Sequence, residues 1–147
     1  MSTFRFTTIT EGLPSTVPFV GPETQERENN SLFKARLGAN ENVFGPSPLC
    51  VEAMQNAAKD TWMYGDPENF DLKEKLAALH NTGVKNIVIG EGIDALLGYL
   101  CRLFIEPGDK VVSSLGAYPT FNFHVAGYGG ILKTVPYLND CEDPLSL

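Results

Sequence analysis

The stretch Ile87-Val88-Ile89-Gly90-Glu91-Gly92-Ile93-Asp94 decides how this chain is read. A short apolar run passes through two glycines into Ile93, Leu96, Leu97, Leu100 and Phe104, which recur at helical spacing. That pattern predicts a strand, a tight turn and a helix. Downstream, Pro107-Gly108-Asp109 is turn chemistry, and Lys110 to Leu115 forms a second β-branched run. Tyr118-Pro119 opens a short helix to about Gly127, and Gly129-Gly130 turns into a third strand, Ile131 to Tyr137. Strands alternating with helices predict an α/β fold on a parallel sheet with flanking helices. Three strands make a thin parallel sheet, and such a sheet normally carries helices on both faces. The sheet is therefore expected to be incomplete, and Asp143-Pro144-Leu145 predicts the start of a further helix.

Upstream, Ser47-Pro48 is a helix-start signal, with Ser as N-cap and Pro at the first helical position. The helix it opens is predicted from about Pro48 to Thr61, with Val51, Met54 and Ala58 on one stripe. After the loop Tyr64-Gly65-Asp66-Pro67-Glu68-Asn69, a second helix from about Asp71 to Asn81 carries Leu72, Leu76 and Leu79, with Gly83 as its stop. Residues 1–36 show no sustained period, and Pro14, Pro18 and Pro22 recur at four-residue spacing. Proline disfavours a helix interior. These residues read as an arm, extended or loosely helical, ahead of residues 37–147. No internal repeat is present.

A length of 147 residues suits one ordinary domain with a real core. Apolar residues at 43% and charged residues at 20% argue against a disordered, collagen-like or fibrous chain. No apolar run approaches the ~18 residues of a membrane span, and the first residues lack the apolar stretch of a secretory signal. A cytoplasmic protein with no membrane partner is expected. Eighteen acidic against eleven basic residues leave a net charge of −7, which disfavours nucleic acid as a partner. Cys50, Cys101 and Cys141 lie far apart without a C-x-x-C pair, so neither a metal site nor a disulfide framework is expected.

The strongest local candidate is the Gly90–Asp94 turn. Unpaired N–H groups and the positive end of the helix dipole favour an anion such as phosphate, and Gly92 lets a ligand approach the backbone. The local residues leave a second reading open, in which both glycines only permit the tight turn. Gly90-Glu91-Gly92-Ile93-Asp94-Ala95 also fits the dinucleotide fingerprint G-x-G-x-x-A. That reading needs an acid at the end of the second strand; Asp109 instead precedes the strand. Tyr118 follows the second strand at the edge where open α/β sheets place ligands, and can stack on a flat ring. Ser31-Leu32-Phe33-Lys34 fits S-x-x-K without its companion motifs. His80 suits a helix end, while His124 suits burial in the short helix with no metal-ligand neighbours. Glu68, Asp71 and Glu74 read as a charged helix start.

In order and spacing, these segments resemble the fold-type I pyridoxal-phosphate aminotransferases, especially the histidinol-phosphate aminotransferase-like group. The resemblance rests on Leu37-Gly38-Ala39-Asn40-Glu41-Asn42-Val43-Phe44-Gly45-Pro46-Ser47-Pro48, on Tyr64-Gly65-Asp66-Pro67-Glu68-Asn69-Phe70, and on the run from Val88 through Pro107-Gly108-Asp109 to Ala117-Tyr118-Pro119. Val43 stands where that group usually has proline. The resemblance implies pyridoxal 5'-phosphate as cofactor, with the amides of Ile93 and Asp94 after Gly92 cradling its phosphate. It implies that Tyr118 stacks on the ring and that Asn40 lines the substrate site. Tyr64 is similar to the tyrosine that reaches the phosphate of the neighbouring subunit's cofactor, which implies a homodimer.

The activity so implied is transfer of an amino group from a small-molecule amino donor to a 2-oxo acid. The family's Schiff-base lysine matches none of the seven lysines at 34, 59, 73, 75, 85, 110 and 133, so no catalytic residue is assigned here. In the family the first strand pairs with later strands, so Ile87–Ile89 is expected to lack neighbours. The expectation is the N-terminal portion of a cofactor-binding large domain, truncated and inactive by itself. The alternatives are a pyridoxal-phosphate-dependent decarboxylase of an amino-acid phosphate, a nicotinamide-dinucleotide-binding module, and a non-catalytic interaction module.

Overall fold

A computed structural model describes residues 4–13, 15, 19–38 and 40–138. Pro14, Pro18, Cys141 and the helix start expected at Asp143-Pro144 lie outside the described residues. In chain order the elements are α1 (Thr8–Glu11), α2 (Pro22–Asn29), α3 (Pro48–Ala57), α4 (Phe70–Leu79), α5 (Gly92–Phe104), β1 (Lys110–Ser114), α6 (Pro119–Gly127) and β2 (Ile131–Val135). Short 3-10 turns follow α3 at Ala58–Asp60 and precede Ile87 at Val84–Asn86. The chain divides into two compact units, one of Met1–Val20 with Gly90–Leu147 and one of Gly21–Ile89.

The first unit holds the sheet. β1 and β2 pair in parallel, with Lys110 opposite Ile131 and Ser114 opposite Val135. Parallel strands cannot be joined by a tight hairpin, and α6 supplies the crossover. The turn before each strand is tied to the other: the Gly108 amide donates to the Gly129 carbonyl at 2.9 Å, and the Ile131 amide to the Asp109 carbonyl at 2.7 Å. Val125 of α6 and Cys101 of α5 are fully buried, and burial pushes the Cys101 thiol pKa upward. Gly130 is needed where it is, since a Cβ there would lie 2.9 Å from side-chain carbons of both Ile105 and Val125.

In the second unit, local hydrogen bonds fix the helix ends. Ser47 caps α3 as its sequence predicts, accepting from the Cys50 amide at 3.2 Å. Asp66 anchors the start of α4, accepting from the Phe70 amide at 2.7 Å and the Glu68 amide at 3.0 Å. These bonds hold the Asp66 carboxyl below its ordinary pKa, the Phe70 bond most of all. The helix stop differs from expectation. Asn81 takes the left-handed conformation at φ 49°. Thr82 N–H then reaches the Ala77 carbonyl and Asn81 N–H the Ala78 carbonyl, which closes α4 in a Schellman turn. Gly83 has an ordinary φ of −83° and begins the next turn instead.

Two further expectations change. The sheet has two strands rather than three: Ile87 is extended at φ −108° and ψ 125°, but Ile87–Ile89 pair with no strand among the described residues, the lack of neighbours that the family resemblance implied. A β-run without a ladder partner is not a strand, whatever its side chains favour. The real core expected from length is also small: the buried apolar residues among those described are Ala77, Cys101 and Val125. Met54, Leu72 and Leu79, placed on helix faces by their period, are exposed.

The segment read as an arm contains α2, which lacks an apolar stripe and is held by ions. Arg36 reaches Glu26 at 2.6 Å and Glu23 at 2.7 Å. The Phe33 amide donates to Glu26 at 2.9 Å. The Arg36 hydrogen bond first, and then the Phe33 amide, hold the Glu26 carboxyl below its ordinary value of 4.5. Because the unfolded chain takes up this proton more readily, the stabilisation is full above that value and is lost as pH falls below it. Circular dichroism melts across pH 7 to 3 should show stability falling on the acid side. Glu26→Gln should be less stable at neutral pH and show a shallower acid decline; an unchanged decline would assign it to other carboxylates.

Candidate functional site

The entry into α5 is built by two glycines with different tasks. A Cβ at Gly90 would lie 3.1 Å from carbons of Leu96 and Tyr99, so this glycine lets the incoming chain pack closely against α5. Gly92, the first helical residue, has φ +74°, and beyond its chain neighbours and the backbone of its own helix no atom lies within 4 Å of where a Cβ would stand. The backbone beside Gly92 is therefore open to approach. Its own amide is turned back onto the Gly90 carbonyl at 2.8 Å.

The next amides, of Ile93 and Asp94, belong to the first turn, where a helix has no internal acceptors. Acidic side chains commonly fill that role. Two are present, and both are engaged elsewhere. Glu91, at the N-cap, makes no side-chain cap and instead accepts a long bond of 3.4 Å from the Tyr99 hydroxyl. The Asp94 carboxylate is bonded to His124 Nε2 at 2.9 Å. An uncapped, dipole-positive helix end beside open backbone can receive an anion.

Tyr118 is the N-cap of α6 and is half exposed. It follows β1 after Leu115-Gly116-Ala117, a turn in which Gly116 packs against the Tyr137 ring. Six residues along from Tyr118, about 9 Å of helical rise, stands His124 with its bond to Asp94. The first unit thus joins the glycine turn to the helix that begins with Tyr118. Asn40 and Tyr64 lie in the second unit. Asn40 is exposed in the left-handed conformation at φ 55°, and Tyr64 is wholly exposed ahead of α4.

Asp109, the acid nearest the dinucleotide spacing, lies at the start of β1 and accepts from the Glu106 amide at 2.8 Å. It closes the turn before the strand and does not stand at the strand's carboxyl end. An apolar groove of about 430 Å³ runs along α5 and β1 from Leu100 to Phe121, apart from the glycine turn. His124, read from sequence only as a residue suited to burial, is half-buried and bonded to Asp94, a partner that the sequence did not indicate. Its partner is 30 positions away, so no local spacing announces the pair.

Known proteins are similar to this chain in sequence and in fold. Residues 34–143 match the family described as aminotransferase class I and II. Histidinol-phosphate aminotransferase from Moorella thermoacetica is 35% identical over 127 residues, which cover 86% of this chain and 33% of that protein. The enzyme of the same name from Methanocella arvoryzae is 43% identical over 91 residues, covering 62% of this chain and 25% of its own length. In structure, the chain is similar to the crystal structure of histidinol-phosphate aminotransferase from Sinorhizobium meliloti in complex with pyridoxal-5'-phosphate. The TM-score is 0.87 at 54% identity, covering 97% of this chain and 37% of that one. The chain thus spans about a third of the length of the proteins it matches.

The backbone at Gly92 gives a direct test. Gly92→Ala forces a side chain into the left-handed region and should lower stability by about 1–2 kcal/mol in denaturant unfolding. Gly65→Ala meets equally open space without a positive φ and should be neutral or slightly stabilising. Equal effects at both positions would show that Gly92 imposes no backbone requirement.

Proposed function

The chain belongs to the aminotransferase class I and II family, and on that premise we propose that the full natural protein is a pyridoxal-phosphate-dependent transaminase. Its amino donor is an amino acid or amino-alcohol phosphate and its acceptor a 2-oxo acid. The observation that carries this reading is the start of α5, where Gly92 leaves the backbone open and both neighbouring carboxylates are engaged away from the helix amides. That geometry fits a phosphate group. When bound, pyridoxal phosphate supplies the electron sink for amino-group transfer.

In this reading, the Ile93 and Asp94 amides receive the cofactor phosphate, and the helix dipole favours its negative charge. Tyr118 offers its ring face to the pyridine, which orients the cofactor and excludes water from one side. Asn40 lines the substrate site, and its exposed side chain carries both a donor and an acceptor. Tyr64 serves the cofactor phosphate of a second copy, so the working unit is a homodimer. Residues 37–147 form the N-terminal portion of the large domain, and the exposed apolar faces of α3 and α4 suit burial within a longer subunit.

The reading is tested on the full natural protein. It should bind pyridoxal phosphate and convert a phosphorylated amino donor and 2-oxoglutarate into an oxo product and glutamate. Release of carbon dioxide without glutamate would place it among decarboxylases. Tyr64→Phe should weaken cofactor retention in dialysis by roughly tenfold, the scale of one hydrogen bond to a charged group. Unchanged retention would remove Tyr64 from the site.

A further inference from the structure

Asp94 occupies a position from which a carboxylate works against anion binding. It is the third residue of α5, and an acid there commonly folds back onto the first backbone amides of its own helix. A carboxylate folded back there would stand beside the Ile93 and Asp94 amides that a phosphate would use, and would repel a dianion. The structure holds the side chain elsewhere. Asp94 Oδ1 accepts from His124 Nε2 at 2.9 Å; an ionised carboxylate has no proton to give, so the imidazole is the donor. The imidazole is set in place by packing, since a Cβ on the buried Gly98 of α5 would lie 3.2 Å from His124 Cε1.

We propose that His124 is a positioning residue for the phosphate-binding end of α5. By holding the Asp94 carboxylate on α6, it keeps the Ile93 and Asp94 amides free and keeps a negative charge off the anion they receive. The same contact ties the helix that begins with Tyr118 to the helix that carries the amides. This inference rests on the cofactor reading above. The Asp94 side chain is 65% exposed, and a side-chain contact so open to water adds little to global stability. The consequence of losing it therefore falls on anion affinity rather than on the fold.

The test uses the full natural protein, with pyridoxal phosphate and phosphate-free pyridoxal as the two probes. His124→Phe keeps a ring against Gly98 but removes the donor. It should weaken pyridoxal phosphate binding roughly tenfold and pyridoxal binding less than about twofold, with the unfolding midpoint nearly unchanged. His124→Gln, which can place an amide N–H near the Nε2 position, should restore most of the affinity. Adding Asp94→Ala to His124→Phe should also recover affinity, because it removes the stray carboxylate and leaves the backbone amide. Should Phe prove too bulky beside Gly98, His124→Ala gives the same contrast. Unchanged affinity in the donor-free variant, equal weakening toward both probes, or no recovery on removing the Asp94 carboxylate would overturn the inference alone. Failure of the unsubstituted protein to bind pyridoxal phosphate would overturn the functional reading and this inference with it.

Discussion

Parallel pairing of β1 with β2 is the constraint on which the sheet-bearing unit depends. Two adjacent strands running the same way need a connection that returns along the sheet, and here α6 makes that return. Once α6 is committed to the crossover, Tyr118 must sit at its start, just past the carboxyl end of β1, and Val125 must be buried near its end. His124, the neighbour of Val125, is thereby turned against α5. The Asp94–His124 contact thus follows from strand direction rather than from any local motif.

The two glycines of the α5 entry show how one short motif can combine structure and chemistry. Gly90 permits close packing and Gly92 permits a left-handed backbone, so the reading in which both merely serve the turn is correct as far as it goes. What it omits is the fate of the amides that follow. With Glu91 directed to Tyr99 and Asp94 to His124, the helix end is left without an acidic cap. A protein that retained an acidic pair at this end for helix stability alone would more simply let one of them cap it. The proposed phosphate site rests on this arrangement.

The second unit shows a different balance. Its helix ends are secured by local hydrogen bonds at Ser47, Asp66 and Asn81, and α2 is secured by the Glu23–Arg36–Glu26 cluster. Its apolar stripes are mostly exposed. Local bonds can set the ends of a helix, but burial of an amphipathic face normally supplies most of its stability. Met54, Leu72 and Leu79 therefore mark exposed apolar faces suited to further packing.

Much of this was legible along the chain because the forces concerned act over a few residues. Capping set the start of α3 at Ser47-Pro48, helical period located α5, and β-branched runs bounded by turns located β1 and β2, within about two residues of the observed limits. The glycine turn and Tyr118 were visible as site candidates for the same reason. Strand partnership was not legible in composition alone: Ile87–Ile89 has strand composition, but a strand exists only through a neighbour, and the expectation that it would lack one came from the family resemblance. Nor was the stop at Asn81 legible, since Asn and Gly both tolerate the left-handed turn and only backbone geometry chose between them. The Asp94–His124 bond joins two helices through a crossover, and such a contact is decided only when the sheet, its direction and the packing of Gly98 are all in place.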